Sequence, residues 1–416
     1  MASKFLQIFL ERFKFYLPFL LPFLIPFSRS IADITIIMVS ILFLLNSYFL
    51  NDWKWMKEKW FLFALFFWIY CLVLVSPLSI QIEKSFLYSL YFIRWPLFAM
   101  ALSYWIFSDI KKIKLFLNIL SIIVIFLFID TLWQYFFSYD LFGYERFTSD
   151  RLTGPFDRPI IGMWISKLIL LIPFIFYTHK YRSKNIINYI FILMTLFLIT
   201  IFLTGERMAL ILSIIISFIY ILGLIFEGFV SKKRIIIFLT IAFIISLLLY
   251  LYEPNMFDRS VFSTVQTIWN IKNSEYGTIF ESAYLIWQKY PFFGSGFHTY
   301  REACESLIIY GTRDNPIVGG MCFHPHNISL ELLSELGIFG FVLFYIMIAS
   351  IFFNYQKLVK DKNWFLLSFY ISILIASFFP LIVGMSIFSN KLASIIWLIL
   401  GVSLAFYKNY KKVNLD

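Results

Sequence analysis

The chain has 416 residues, of which 61% are hydrophobic and only 14% are charged, and its mean hydropathy is +0.83. Because soluble domains are about 45–50% apolar and about a quarter charged, this composition excludes an ordinary soluble protein. The formal charge of +11 does not indicate nucleic-acid binding, since the basic residues lie in short loops between apolar runs, where they report membrane topology. The short alternating strands of an outer-membrane barrel are not visible.

The apolar runs predict an all-α polytopic membrane protein with about 12 transmembrane helices, built as one integral membrane domain over residues 1–416. A helix needs about 20 apolar residues to cross a bilayer. In chain order the predicted spans are residues 16–27, 31–50, 61–78, 86–107, 115–137, 159–178, 187–203, 207–226, 235–252, 328–353, 364–384 and 388–407. The first span is the weakest, because it is short and interrupted by prolines.

The distribution of Lys and Arg predicts the orientation. Seven segments carry three basic residues each, and all of them fall on one side if twelve spans alternate: 1–15, 51–60, 108–114, 179–186, 229–234, 354–363 and 407–416. The positive-inside rule places that side, with both termini, in the cytoplasm. Two long loops then face outwards, residues 138–158 and the large loop 253–327, and chemistry is expected there because long loops in compact proteins are usually functional.

The end of the large loop contains the strongest candidate for acid–base chemistry. Cys322-Phe323-His324-Pro325-His326-Asn327 runs into a predicted membrane helix, so His326 lies at the outer water boundary, where an imidazole can exchange a proton near neutral pH. The alternative is a histidine that only caps the helix or lies at the interface. Asn327, Glu331 and Glu335 are four residues apart and so share one helix face, and they are supporting candidates together with His324.

Arginines near the outer surface are candidates for binding an anion. Arg207 lies between two apolar helices with almost no loop, and its guanidinium suits a phosphate or pyrophosphate, although it could instead extend from the helix end to the interface. Arg151 precedes a Gly-Pro pair in the first outer loop, where a solvated loop is the simpler interpretation. Arg94 lies inside a span and could belong to a structural pair.

The large loop also contains a glycine-rich turn, a pair of cysteines and a group of possible metal ligands. Pro291-Phe292-Phe293-Gly294-Ser295-Gly296 allows a tight turn but lacks the Lys-Ser/Thr ending of a phosphate-binding loop. Cys304 and Cys322 fall on the oxidising side, and a possible disulfide between them would contribute roughly 3 kcal/mol in the chain-entropy model. His298, His324, His326 and Cys322 match no structural zinc spacing, so no metal site and no cofactor is predicted.

Together these motifs resemble the O-antigen ligase and O-antigen polymerase superfamily. The similar stretches are His326-Asn327 with the following Leu330 and Glu335-Leu336-Gly337, the Pro-x-x-Gly-x-Gly stretch 291–296, Thr204-Gly205-Glu206-Arg207, and Arg151-Leu152-Thr153-Gly154-Pro155-Phe156. They occur in the family's order and extend over about residues 130–345. One departure is the segment 278–283, which lacks the second arginine that the family carries early in the large loop.

The resemblance implies a GT-C-like membrane fold and metal-independent glycosyl transfer at the periplasmic face of the bacterial inner membrane. The implied donor is an undecaprenyl-pyrophosphate-linked glycan, and the acceptor is lipid A–core for a ligase or another lipid-linked glycan for a polymerase. His326 would be the base that activates the acceptor hydroxyl. Arg207 would bind the pyrophosphate, with Arg259, Arg301 or Arg151 as the second contact.

The signature does not separate ligase from polymerase, and a ligase of lipopolysaccharide biosynthesis is slightly favoured. Another class, a lipid-linked glycan flippase or secondary transporter, also fits twelve spans with both termini inside. The absence of an internal repeat in the sequence and the grouping of ionisable residues at one face argue against it. A non-catalytic scaffold would have little reason to place His326 and Arg207 on the same face.

Overall fold

The computed structural model describes residues 12–14, 16–168, 170, 184–308, 322–381 and 385–413. Within these ranges the chain is almost entirely helical, with two isolated β-bridges in the loop 138–158 and no β-strand. By length and composition, seven helices of the described part could cross a membrane: Arg29–Leu50, Ile82–Ile106, Ile110–Phe137, Arg207–Phe226, Lys233–Tyr252, Ile328–Phe353 and Asn390–Asn409. Three shorter apolar helices are Lys59–Val75, Ile187–Leu203 and Trp364–Phe378. The predicted all-α, multi-pass membrane fold is confirmed, whereas the count of twelve spans stays a prediction.

Two of the predicted spans differ from a single long helix. Residues 16–27 form a 3-10 helix, Leu17–Leu20, followed by a helix of seven residues, Leu21–Phe27, in keeping with the prolines of this run. The span 159–178 begins as the helix Ile161–Leu168. Its remainder, and part of the basic segment 179–186, lie outside the described residues.

The chain divides into two compact units. Unit one comprises Met1–Ile113, Asn270–Asn354 and Phe378–Asp416, and unit two comprises Lys114–Trp269 and Tyr355–Ser377. Both units therefore combine membrane helices with parts of the long outer loops, because the large loop 253–327 is divided at residue 270.

Unit one is built around the helix Ile328–Phe353, called here the signature helix, which packs against Lys59–Ile69 and Glu275–Lys289. Its other helices are Arg29–Leu50, Ile82–Phe92, Arg94–Ala101, Tyr300–Ile308 and Asn390–Val413, with π-helical turns at Tyr70–Val75 and Leu102–Ile106 and short 3-10 turns at Lys54–Lys57 and Ile271–Asn273. The C-terminal helix packs against Arg94–Ala101 and Arg29–Leu50.

A polar cluster joins these three helices inside the apolar part of unit one. The guanidinium of Arg94 donates from Nε to Asp33 at 3.2 Å and from Nη2 to Asn390 at 2.8 Å, and it lies over the ring of Trp95. Asn390 in turn donates to the other oxygen of Asp33 at 2.9 Å. Membrane arginine is costly unless it is paired, so this arrangement accounts for Arg94 as a structural residue.

Unit two contains the helices Ile110–Phe137, Ile161–Leu168, Lys184–Leu203, Arg207–Phe226, Lys232–Tyr252, Pro254–Phe257, Ser263–Trp269, Gln356–Lys360 and Trp364–Phe378, with a π-helical turn at Asp258–Phe262. The first four residues of the first helix and the last residue of the last helix belong to unit one. The helix Arg207–Phe226 is central, since it packs against Ile161–Leu168, Lys184–Leu203 and the turn Asp258–Phe262. This packing brings distant parts of the sequence to the N-terminal end of that helix.

Candidate active site

The signature helix is interrupted near the glycine of its motif. Gly337 has a φ of +67°, a left-handed conformation that favours glycine, so the helix is kinked there. The carbonyl of Leu336 accepts the hydroxyl of Tyr70 at 2.7 Å, and the amide of Ile338 donates to the carbonyl of Pro291 at 2.9 Å. The polar groups at the kink therefore have partners outside the helix, which a buried backbone requires.

The loop 291–297, called here the glycine loop, runs directly along this kink. The amide of Ser295 donates to the carbonyl of Ser334 at 2.9 Å, and the amide of Gly296 donates to the carbonyl of Glu335 at 3.0 Å. A Cβ on Gly294 would overlap the backbone of Glu335. The two glycine motifs of the sequence thus meet, and each lets the backbone of the other approach.

The carboxylates of the signature helix accept backbone amides. Glu335 is buried and accepts the amides of His298 at 2.8 Å and Tyr300 at 3.0 Å. Glu331, also buried, accepts the amide of Ile387 at 3.4 Å. Both side chains therefore hold neighbouring segments against the helix.

The segment 322–327, called here the histidine segment, leads into the signature helix. The side chain of Asn327 accepts the amide of Leu330 at 3.2 Å and so forms the helix N-cap. His326 has a φ of +48°, and its amide donates to Nδ1 of His324 at 3.0 Å. The two imidazole rings are 3.9 Å apart, and that of His326 also packs edge-on against Tyr276 at 5.7 Å. Left-handed backbone in a non-glycine residue is common at functional sites, although not sufficient to identify one.

A disulfide between Cys304 and Cys322 ties the histidine segment to the helix Tyr300–Ile308, with Cα atoms 5.5 Å apart. Buried apolar side chains, including Ala283 and Ile286, surround it. The start of the histidine segment is therefore anchored covalently and its end is anchored by the N-cap.

Unit two contains a second polar region, around the turn that precedes the helix Arg207–Phe226. Gly205 has a φ of +65°, and a Cβ there would overlap the carbonyl oxygen of Asp150. Arg259 donates from Nε to the carbonyl of Gly205 at 3.2 Å, and its Nη1 is 3.3 Å from the carboxylate of Asp150. Partial burial acts to raise the pKa of Asp150. The hydroxyl of Thr148 and the charge of Arg259 outweigh it and hold this pKa below its usual range.

Two further arginines lie at the same turn. Cγ of Arg151 is 3.3 Å from the place that a Cβ of Gly205 would occupy. Arg207 is the first residue of the following helix, and its buried Nε has no hydrogen-bond partner among the described residues. Arg151, Arg207 and Arg259 are called here the arginine cluster. Guanidinium groups at a helix N-terminus form a favourable environment for an anion.

Glu206 belongs to the same turn and stabilises a neighbouring helix end. Its carboxylate accepts the amides of Gly162 at 2.6 Å and Met163 at 3.0 Å, which are orphan donors of the helix Ile161–Leu168. Burial raises the pKa of Glu206 to about 7, although these two hydrogen bonds and the charges of Arg151 and Lys167 act in the opposite direction.

The loop that carries Arg151 is held by a buried amide that the sequence reasoning missed. Gln134 accepts the amides of Thr153 at 2.8 Å and Gly154 at 3.0 Å through Oε1, and it donates to the carbonyl of Tyr144 at 3.1 Å. A polar amide inside a predicted span was the available signal, because such side chains need partners in an apolar environment.

The arginines that the sequence grouped together belong to different units. Arg151, Arg207 and Arg259 meet in unit two, whereas Arg301 lies in unit one, half-exposed, paired with Glu305 at 2.9 Å and stacked over Phe323. In the described part of the chain, no group of three or more His, Cys, Asp or Glu side chains has an arrangement that could hold a metal ion.

Comparison with known proteins identifies part of this chain. A search among curated proteins found no match. Residues 189–345 match the family model described as O-antigen ligase. The matched segment includes Arg207, Arg259, the glycine loop, His326 and the kink at Gly337. The resemblance seen in the motifs is thereby confirmed: residues 189–345 of this multi-pass membrane protein are similar to the O-antigen ligase family, a superfamily of ligase- and polymerase-type glycosyltransferases.

Proposed function

We propose that this protein transfers a glycan from an undecaprenyl-pyrophosphate-linked donor to a sugar hydroxyl, as the O-antigen ligase that joins O-antigen to lipid A–core. The reaction would take place at the periplasmic face of the inner membrane, with both chain termini in the cytoplasm. The observation that carries the proposal is the arginine cluster, which brings three arginine side chains to the turn at one helix N-terminus, in a chain of which residues 189–345 match this family.

Breaking the bond between the anomeric carbon and the pyrophosphate leaves negative charge on the leaving group. Arg207, Arg259 and Arg151 are proposed to bind that pyrophosphate. Support comes from the buried Nε of Arg207, which lacks a partner among the described residues and could donate to a phosphate oxygen. Preorganised donors of this kind stabilise developing charge without reorganisation during the reaction.

His326 is proposed to accept the proton of the acceptor hydroxyl as its oxygen forms the new bond to the anomeric carbon. Support comes from the anchored backbone of His326, which is held by the adjoining N-cap and by the hydrogen bond from its amide to Nδ1 of His324, and from the packing of its ring against Tyr276. A base contributes about 10²- to 10⁴-fold to such a reaction when it is positioned correctly. Direct displacement by one acceptor oxygen would invert the anomeric configuration. Asn327, Glu331 and Glu335 are proposed to act only as positioning residues.

The test is reconstitution of the purified protein in liposomes with an undecaprenyl-pyrophosphate glycan and a lipid A–core acceptor. Wild type is compared with His326→Ala, each with and without a chelator. Transfer to lipid A–core that survives the chelator and is lost in the variant supports a metal-independent ligase that uses His326.

Other outcomes would assign a different activity. Growth of the lipid-linked glycan without transfer to lipid A–core would indicate a polymerase. Movement of the lipid-linked glycan across the bilayer without any covalent product would indicate a flippase and would contradict the proposal.

A further inference from the structure

Unit one contains a polar cavity of about 530 Å³ beside the histidine segment. Its lining includes Lys84, His298, Arg301, Glu302, Phe323 and His324. Its volume falls within the range of about 300–1,000 Å³ that is typical of ligand sites. Lys84, His298, Glu302 and Phe323 take no part in the proposed proton transfer or pyrophosphate binding.

Carboxylates outnumber cations around this polar cavity, because the buried Glu331 and Glu335 also line it. Lys84 contacts Glu302 at 2.6 Å, and Arg301 contacts Glu305 at 2.9 Å. Each of these two cations thus has its own carboxylate. A phosphate would have to compete with these carboxylates, so the lining favours an uncharged polar ligand.

Glu302 offers a hydrogen-bond acceptor. Its Oε1 accepts from Lys84, but its buried Oε2 has no hydrogen-bond partner among the described residues. Burial acts to raise the pKa of Glu302, but the hydrogen bond from Lys84 outweighs it and holds this pKa below its ordinary value. The group is therefore an ionised carboxylate, which only accepts hydrogen bonds. A buried acceptor without a partner is unfavourable, and a hydroxyl donor would satisfy it.

His298 adds both a donor and an acceptor. Its ring stacks on Tyr88 with centroids 4.0 Å apart, its backbone amide is held by Glu335, and its φ of +61° is left-handed. Burial, together with the charge of Lys84, lowers the pKa of His298 to about 4. The imidazole is therefore neutral near pH 7, with one N–H donor and one acceptor nitrogen.

Phe323 supplies an apolar surface at the same place. Its ring is 67% exposed, although it is large and apolar, and the guanidinium of Arg301 lies 5.4 Å from its centroid. Exposed aromatic rings with nearby polar groups suit ligands that combine an apolar face with hydroxyls. Pyranose sugars have this combination, because one face of the ring presents C–H groups and the edge presents hydroxyls.

We propose that the polar cavity binds an uncharged, hydroxyl-bearing sugar of the acceptor. Glu302 and His298 form hydrogen bonds with its hydroxyls, and Phe323 packs against its C–H face. The acceptor is favoured over the glycan of the donor because His324 lines the cavity and its ring is 3.9 Å from that of His326, the proposed base for the acceptor hydroxyl. This inference rests on the proposed function.

Acceptor binding in the polar cavity is tested by initial rates in the liposome assay. KM for the acceptor is measured at saturating donor, and KM for the donor is measured at saturating acceptor. The variants are Glu302→Gln, which keeps the shape of the side chain, and Phe323→Ala, whose exposed side chain makes misfolding less of a concern. Glu281→Gln is the matched control, an exposed glutamate of the same unit that does not line the cavity. A second assay measures binding of a lipid-free, dephosphorylated core oligosaccharide to the purified protein and needs no transfer.

We expect Glu302→Gln to raise KM for the acceptor about 10- to 100-fold, because it removes hydrogen bonding to a charged group. Phe323→Ala is expected to raise it about threefold to tenfold. Neither variant should change KM for the donor, the control should match wild type, and binding of the oligosaccharide should weaken in parallel with KM for the acceptor.

Unchanged acceptor KM in both variants, with active wild type, would overturn the inference and leave the proposed function standing. A rise in donor KM alone would overturn it too, because the cavity would then hold the glycan of the donor. If wild type transfers nothing, the proposed function fails, and the binding assay decides: binding that Phe323→Ala weakens supports a sugar site, and binding that neither variant weakens refutes it.

Discussion

Charged side chains serve opposite purposes in the two units. In unit one, the buried Glu331 and Glu335 accept backbone amides of neighbouring segments, and Lys84 and Arg301 are each paired with a carboxylate. In unit two, the three guanidiniums of the arginine cluster stand beside two carboxylates, Asp150 and Glu206, of which Glu206 is committed to a helix end. The first region has more carboxylates than cations, and the second has more guanidiniums than carboxylates.

This difference shows what each region is suited to bind. Preorganised hydrogen-bonding groups in an acidic lining suit neutral hydroxyls, whereas a group of guanidiniums that outnumbers its carboxylates suits phosphate. Glycosyl transfer from a lipid pyrophosphate needs both abilities. The two regions should therefore respond differently to mutation: changes in unit one should affect turnover or the acceptor, and changes in unit two should affect the donor.

The largest effect is expected for His326→Ala. Loss of the proposed base should lower kcat about 10²- to 10⁴-fold while KM for the donor stays within about twofold, because proton transfer is removed and pyrophosphate binding is not. Single-turnover transfer with preloaded donor measures this directly. If His326→Ala keeps a normal kcat but has a raised KM for the donor, His326 contributes to donor binding together with the arginine cluster.

The contact between the two glycine motifs should be the next most sensitive feature. Gly294→Ala places a Cβ into the backbone of Glu335 and requires an alanine at a φ of +74°. The free energy of unfolding should therefore fall by about 3 kcal/mol or more. Gly143→Ala is the matched control, since Gly143 has a φ of +89° but open space around it, and should cost about 1 kcal/mol. Thermal unfolding in detergent compares the two, and equal losses would mean that the close approach is unimportant.

Arg259→Lys tests which arginine is the second pyrophosphate contact. Lysine keeps the charge but loses the fork that reaches both the carbonyl of Gly205 and Asp150, so KM for the donor should rise about tenfold or more. Arg158→Lys, an exposed arginine of the same unit, serves as the control. Arg301→Lys should leave the donor KM unchanged, and the reverse pattern would move the pyrophosphate contact to unit one.

Hydropathy predicted the membrane helices well, because a bilayer requires about 20 apolar residues whatever their packing. It predicted residues 328–353 as one helix, but it could not show the kink, since Gly337 is left-handed only because the glycine loop approaches it. The motif residues were likewise visible in the sequence as candidates.

Partners far apart in the chain were not visible. Arg94 was identified as a membrane arginine, yet its contacts Asp33 and Asn390 are 61 and 296 residues away. The contact of Arg259 with Gly205, 54 residues away, was not visible for the same reason. Sequence patterns identify which residues are costly to bury, and packing determines what compensates them.

The smallest expected effect concerns the pH dependence of donor binding. Burial raises the pKa of Glu206 to about 7, so the group is mostly neutral below that pH and mostly anionic above it. Arg151, Arg207 and Arg259 keep their charge throughout, and Asp150, with its lowered pKa, stays ionised. The net positive charge at the turn therefore falls as the pH rises through 7, while the pyrophosphate diester of the donor does not titrate in this range.

Donor KM should accordingly rise about threefold to tenfold from about pH 6 to about pH 8, as one negative charge is added near the bound anion. Glu206→Gln keeps an acceptor for the amides of Gly162 and Met163 but cannot ionise, so its donor KM should lose most of this dependence. Lys167, the other titratable group beside Glu206, is present in both proteins. A slope that persists unchanged in Glu206→Gln would assign it to Lys167 or to the acceptor side, and would remove Glu206 from the electrostatics of donor binding.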